Sequence, residues 1–168
     1  MNPFNEDERN RILEELKIIE QSGNELVPYK NDFININTIR LNQDDVIYRF
    51  YNLNDFLRTI NNKKLCLLRP QLWQDPFENF ALNAIGQLRD GRKTHLTNIK
   101  NNYYAQCWTV KEDCDGLWRN YKKPTAVKVR STVGKLMDEF YDLTNITHHK
   151  YSYFIGKVEY IAEGDILQ

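Results

Sequence analysis

Apolar residues recur at helical spacing between residues 6 and 22, where Ile12, Leu13, Leu16 and Ile19 share one side. That spacing predicts an amphipathic helix. Asn5 precedes it as an N-cap with Glu8 three residues on, close to a capping box. Gly23 follows as a stop. Residues 24–44 are less regular, with Phe33, Ile34, Ile36 and Ile39 offering a short strand. The pattern sharpens at Val46-Ile47-Tyr48-Arg49-Phe50-Tyr51, a run of strand formers. Asn52 and Asn54 then supply turn and capping chemistry for a short helix over residues 55–60, with Phe56, Leu57 and Ile60 on one face and Asn61 and Asn62 at its end.

Leu65-Cys66-Leu67-Leu68 is a continuous apolar run closed by Pro70, the pattern of a buried strand. Residues 77–88 read as a helix broken near Gly91, residues 103–109 as a strand, and residues 116–121 as a short helix. Residues 125–130 alternate Ala126 and Lys128 against Val127 and Val129, a half-buried strand. Ser131 or Thr132 caps a helix to about residue 143, carrying Val133, Leu136, Met137 and Phe140, and residues 151–161 alternate as a final strand. Strand-helix units mixed with consecutive strands predict an α+β fold: a mixed, mostly antiparallel sheet, flanking short helices and an N-terminal helix. Residues 1–44 read as a helical extension packed on an α+β domain over residues 45–168.

A chain of 168 residues is long enough to bury a core without metals or disulfides. Lys plus Arg and Asp plus Glu each number 23, so the net charge is zero. That balance argues against broad phosphate binding, which normally needs a basic excess. Lys122, Lys123, Lys128 and Arg130 cluster in sequence, and they rank nucleic-acid chemistry third among the functional readings. Three cysteines without CxxC spacing, Cys66, Cys107 and Cys114, do not form a disulfide framework. No signal-peptide pattern stands at the N-terminus, and no apolar run approaches the ~18 residues of a membrane span. The expectation is a cytoplasmic protein with reduced thiols and no membrane association.

Four groups of residues carry candidate chemistry. On a strand, Arg49 and Tyr51 lie on the face opposite Tyr48 and Phe50. A cleft-facing arginine forks onto phosphate or carboxylate, and neighbouring aromatics stack on a ring; the structural alternative is an edge strand with a solvated arginine. In Trp73-Gln74-Asp75-Pro76-Phe77-Glu78, Asp75 and Pro76 suit an N-cap and first helical position. Glu78 closes a capping box or stands as a polar group at a cleft mouth beside Trp73. Cys107, in Gln106-Cys107-Trp108-Thr109, is a nucleophile only with a base that the neighbouring sequence lacks, and otherwise a packing residue. Trp118 and Tyr121 share a helical face as core or ligand contacts. His148 and His149 lack zinc-site spacing, so no metal is expected.

Together these motifs resemble the bacterial family known as domain of unknown function 2971. Tyr48-Arg49-Phe50 stands for its Tyr-Arg-Tyr strand, and Asp75-Pro76-Phe77-Glu78 for its Asn-Asp-Pro-Phe-Glu turn. Cys107-Trp108-Thr109 corresponds to its Cys-Phe-Ser strand, and Trp118-Arg119-Asn120-Tyr121 to its Trp-x-x-Tyr helix. The resemblance covers about residues 46–161. Gln74 replaces the usual asparagine and Phe50 a tyrosine, and the family's C-terminal acidic strand has no counterpart before Gln168.

The opening strand and helix also look like those of the ADP-ribosyltransferase superfamily, a fold-level analogy. That resemblance implies an NAD-using transferase. Arg49 would hold the phosphates or ribose, and Tyr48 or Trp73 would flank a ring, with Trp118 and Tyr121 as further contacts. Glu159 is the strand carboxylate that would steady an oxocarbenium-like ribose, with Glu78 as the second candidate acid. The implied setting is a bacterial or phage defence or toxin-type system with a protein target. The alternative in the same setting is a non-catalytic protein-binding module or inhibitor, for which Ile12, Leu16 and Ile19 offer a partner face.

Overall fold

The N-terminal helix α1 spans Glu6–Gln21 and opens on three acids, Glu6, Asp7 and Glu8, which favour the positive end of the helix dipole. Gly23 takes φ +75° just beyond it, a left-handed conformation that glycine adopts without a Cβ clash. This is a computed structural model, and it describes residues 6–23, 27–72, 85–87, 91–95, 101–121, 125–141 and 153–158. The Asn5 cap, Trp73, the Asp75-Pro76 turn, Glu78, Lys122, Lys123, the histidine pair and Glu159 lie outside the described residues.

The protein is α+β. After α1 come a 3-10 turn at Val27–Tyr29, helix α2 at Lys30–Ile36 and strand β1 at Thr38–Ile39. Strand β2 runs over Val46–Asn52, followed by helix α3 at Leu53–Asn62 and a 3-10 turn at Pro70–Leu72. Strands β3 at Ile85–Gln87 and β4 at Lys93–His95 follow, then helix α4 at Asp115–Asn120. Strand β5 at Ala126–Thr132, helix α5 at Val133–Asp138 and strand β6 at Ile155–Gly156 complete the described elements. The strands pair in twos: β1 with β6 in parallel, β3 with β4 antiparallel, and β2 with β5.

Two compact units emerge. The first gathers Met1–Tyr48, Val110–Glu112 and Val129–Gln168; the second gathers Arg49–Thr109 and Asp113–Lys128. The N-terminal segment therefore shares a unit with the later part of the chain, tied by backbone pairing of distant residues. Thr38 aligns with Ile155 and Ile39 with Gly156.

In the first unit, Leu16, Phe33, Ile34, Ile47, Val133, Met137 and Tyr141 are buried. Asn37, 1% exposed, and Thr38 are polar residues buried with them, and Asn37 is richly bonded. Its side-chain nitrogen donates to the Phe33 carbonyl at 2.8 Å and its Oδ1 accepts from Arg9 Nε at 3.1 Å. Its backbone carbonyl accepts from Ile155 N at 2.9 Å. A buried amide costs free energy unless satisfied, and this one is satisfied by α1, α2 and β6 together. Leu16 is buried while Ile12 and Ile19 are half-buried, so the apolar face of α1 packs within its own unit.

Several expectations are corrected. Residues 30–36 form a helix where Phe33, Ile34 and Ile36 suggested a strand. Thr38 Oγ1 bonding back to the Ile34 carbonyl at 2.7 Å closes the end of that helix. Leu65 to Leu68 is not a buried strand: Cys66 is exposed, Leu68 is 45% exposed, and pairing among the described residues is confined to a single bridge between Leu68 and Ala105. Ile85 to Gln87 is a strand hairpinned onto Lys93–His95, not the last turn of a helix, with Gly91 at φ +84° in the connection. Residues 103–109 are irregular around that bridge. Asn61 and Asn62 remain inside α3, and Lys63 at φ +50° ends it. On the apolar face of α3, Phe56 is half-buried while Leu57 is 45% and Ile60 56% exposed.

Candidate functional site

The second unit holds the most unusual polar arrangement among the described residues. Strand β2 passes Arg49, Phe50 and Tyr51 through it, and their side chains alternate as a strand requires. Phe50, 2% exposed, meets the Trp118 ring edge-on at 4.8 Å and lies 6.4 Å from the near-parallel Tyr121 ring. Trp118 is held in place by its indole N–H, which donates to Asp113 Oδ1 at 2.9 Å. Trp118 and Tyr121 sit three residues apart, so α4 and its C-cap present both to Phe50.

Arg49 and Tyr51 occupy the other side of the strand. The guanidinium lies over the Tyr51 ring, 4.9 Å from its centre, within the range of a cation–π contact. Arg49 Nη1 donates to the Cys107 carbonyl at 2.6 Å. Arg49 Nε is buried and has no hydrogen-bond partner among the described residues. A buried donor left unpaired costs about 1–3 kcal/mol, and such groups mark functional or strained positions. Arg49 is thus neither the solvated edge arginine of the structural reading nor a fully satisfied packing residue.

Gln106 organises the surroundings. Its Oε1 accepts from Trp108 Nε1 at 3.0 Å, and its Nε2 donates to the Cys66 carbonyl at 3.2 Å. Nε2 also stands 3.5 Å from the Tyr51 hydroxyl, a weak contact. Tyr51 packs against Phe56 of α3 with ring centres 6.3 Å apart. Asn52 starts that helix by accepting from Asp55 N at 2.8 Å. The strand-to-helix turn thereby holds Tyr51, and Tyr51 supports Arg49.

Nearby, Arg69 lies over the Tyr104 ring at 5.4 Å and donates to its hydroxyl from Nε and Nη2 at 3.3 and 3.1 Å. That arginine has an acceptor at both atoms. Lys128 stands 3.8 Å from Asp113, and Arg130 is exposed.

Of the site residues read from sequence, the structure brings Arg49 together with Tyr51, and Trp118 together with Tyr121 on Phe50. It does not bring these two groups to one face of β2. Tyr48 is buried in the first unit. Sequence reasoning missed Gln106 and the two cysteine carbonyls. The segment around Cys107 drew notice for its thiol, whereas the atom used by Arg49 is the backbone oxygen, which no side-chain pattern encodes. Cys107 itself is exposed, as is Cys66, so neither is the buried packing cysteine that the sequence suggested.

Among the described residues, no three His, Cys, Asp or Glu side chains form a metal-ligating group, and no helix is long and apolar enough to cross a membrane. No family model matches the chain, and neither a curated protein nor a solved structure matches it.

Proposed function

We propose that the chain is an ADP-ribosyltransferase-like protein that binds NAD through Arg49, acting on a protein target in a bacterial or phage defence or toxin-type system. The observation that carries this reading is the buried Arg49 Nε without a partner. One end of the guanidinium is anchored on the Cys107 carbonyl and its face rests on Tyr51. The Nε edge remains to take an acceptor. Arginine presents Nε and a terminal nitrogen as a planar fork that matches two oxygens of a phosphate. A pyrophosphate that displaces the cover over Nε relieves the unpaired donor and adds a charge-assisted bond.

In this reading the ribose–nicotinamide bond breaks and the nicotinamide departs with the bonding electrons. The resulting oxocarbenium-like ribose is steadied by a carboxylate until a target nucleophile attacks. Glu159 is the first candidate for that carboxylate and Glu78 the second. Gln106, Trp108 and Tyr51 hold the arginine side of the site in shape.

The test is NAD binding by calorimetry together with nicotinamide release by the pure protein. Arg49→Ala is expected to weaken NAD binding about ten- to a hundredfold, the loss of one charge-assisted interaction of about 1.5–3 kcal/mol. Glu159→Gln is expected to abolish nicotinamide release with binding retained. Wild-type protein that neither binds NAD nor releases nicotinamide would reject this reading in favour of the non-catalytic protein-binding module.

A further inference from the structure

Leu68 and Ala105 face each other across an antiparallel bridge. Each donates its N–H to the other's carbonyl, over 3.0 Å from Leu68 and 2.8 Å from Ala105. Counting two residues back from Leu68 and two on from Ala105 places Cys66 opposite Cys107. In antiparallel chains, side chains two positions along return to the same face. A register carried on unbroken from that bridge would set their Cα atoms about 5.5 Å apart, within the roughly 4.4–6.8 Å that a disulfide spans.

The backbone ladder stops short of this pair. The Cys66 carbonyl accepts from the Gln106 side chain, and the Cys107 carbonyl accepts from Arg49. Side chains have taken the acceptors that a continued ladder would use. The Leu68–Ala105 bridge and the Gln106 contact keep the two segments side by side, with no backbone bond between the cysteines themselves. Both cysteines are exposed, so an oxidant reaches them.

We propose that Cys66 and Cys107 form a reversible redox pair that closes to an intramolecular disulfide when the protein meets hydrogen peroxide. One thiolate attacks the peroxide, the O–O bond breaks, and a sulfenic acid forms with release of water. The second thiolate then attacks that sulfur. The S–O bond breaks, the S–S bond forms, and a second water leaves. The peroxide is reduced and the two thiols are oxidised. A dithiol reverses the bridge by exchange.

The bridge has a consequence at Arg49, because Cys107 supplies the guanidinium's acceptor. Closing the disulfide ties the residue that carries that carbonyl to Cys66 and so alters the setting of the anchored end of Arg49. This consequence rests on the reading of Arg49 as the NAD-binding residue; the pairing of the thiols does not.

The test treats the full-length reduced chain with hydrogen peroxide and maps the linkage by non-reducing peptide mass spectrometry. A Cys114→Ser variant, which leaves only the proposed pair, is treated in parallel. The expected result is a Cys66–Cys107-linked peptide in a monomeric chain and loss of both free thiols in Cys114→Ser, restored by dithiothreitol. In Cys66→Ser, oxidation at Cys107 is expected to stop at a dimedone-reactive sulfenic acid. Retention of both thiols in Cys114→Ser, or oxidation only to intermolecular dimers, would overturn the pairing. If the linked peptide forms and reduced wild-type protein binds no NAD, the NAD reading fails and the redox pair stands.

Discussion

Arg49 Nη1 donates to the Cys107 carbonyl over 2.6 Å, while Nε of the same side chain is buried and unpaired among the described residues. One group is thus both anchored and incompletely satisfied. The two halves oppose each other energetically. Replacing Arg49 with Met removes a charge-assisted bond of about 1.5–3 kcal/mol and also removes an unpaired donor costing about 1–3 kcal/mol. Arg49→Met is therefore expected to change unfolding free energy by no more than about 2 kcal/mol in urea titrations, while the proposed NAD binding weakens. A much larger destabilisation would show that Nε is paired in the folded protein.

Asn52 begins α3 by capping Asp55 N, and its amide nitrogen also donates to the Asp55 carboxylate. Asn52→Ala is expected to cost about 1 kcal/mol, the usual worth of an N-cap. Asn52→Asp, ordinarily an equal cap, sets two carboxylates together here. It is expected to destabilise more than alanine at neutral pH and to recover partly in acid. Parallel urea curves for the two variants check the order.

Gly134 sits in α5 with its N–H on the Gln43 carbonyl at 2.8 Å. An added Cβ meets Gln43 Cβ and its carbonyl oxygen at 3.2 Å each. That oxygen is pinned by the hydrogen bond, so it does not yield. Gly134→Ala normally gains about 1 kcal/mol in a helix, but crowding costs about 1–3 kcal/mol. The expected net effect is destabilisation of up to about 2 kcal/mol, read as a lowered thermal midpoint.

Tyr141 is buried beside Phe33, ring centres 5.0 Å apart. Burial, and secondly the Asp32 carboxylate, push its hydroxyl from 10.0 up to about 12. The folded chain holds this proton more tightly than the unfolded chain does. Its contribution to stability is full below pH 10.0 and is lost as the pH rises to about 12. Ultraviolet titration is expected to show one tyrosine ionising late, and Tyr141→Phe should remove that step and flatten the alkaline loss of stability. A full set of tyrosines titrating at the ordinary value in native protein would contradict the burial.

The elements legible from sequence were those whose causes are local. Helix α1 followed from apolar spacing and a glycine stop. The junction of β2 and α3 followed from a strand-forming run meeting an asparagine cap, and α5 from the Thr132 cap, whose side chain accepts from Lys135 N. Such signals lie within a few residues of the structure they specify. The alternation that put Arg49 and Tyr51 on one face of β2 is of the same kind, and it stands in the structure.

What the tertiary structure alone decided were relationships across long stretches of chain. The apolar run from Leu65 to Leu68 reads as a core strand by its composition. Whether it is buried depends on what packs over it, and Leu68 remains substantially exposed. Asn37 reads as a loop residue until Arg9, Phe33 and Ile155 surround it with partners. Arg49 finds its acceptor at a carbonyl 58 residues away, and Leu68 pairs with Ala105 across another long stretch of chain. Backbone carbonyls are identical at every position in a sequence. Only folding distinguishes the one that meets a guanidinium from the rest.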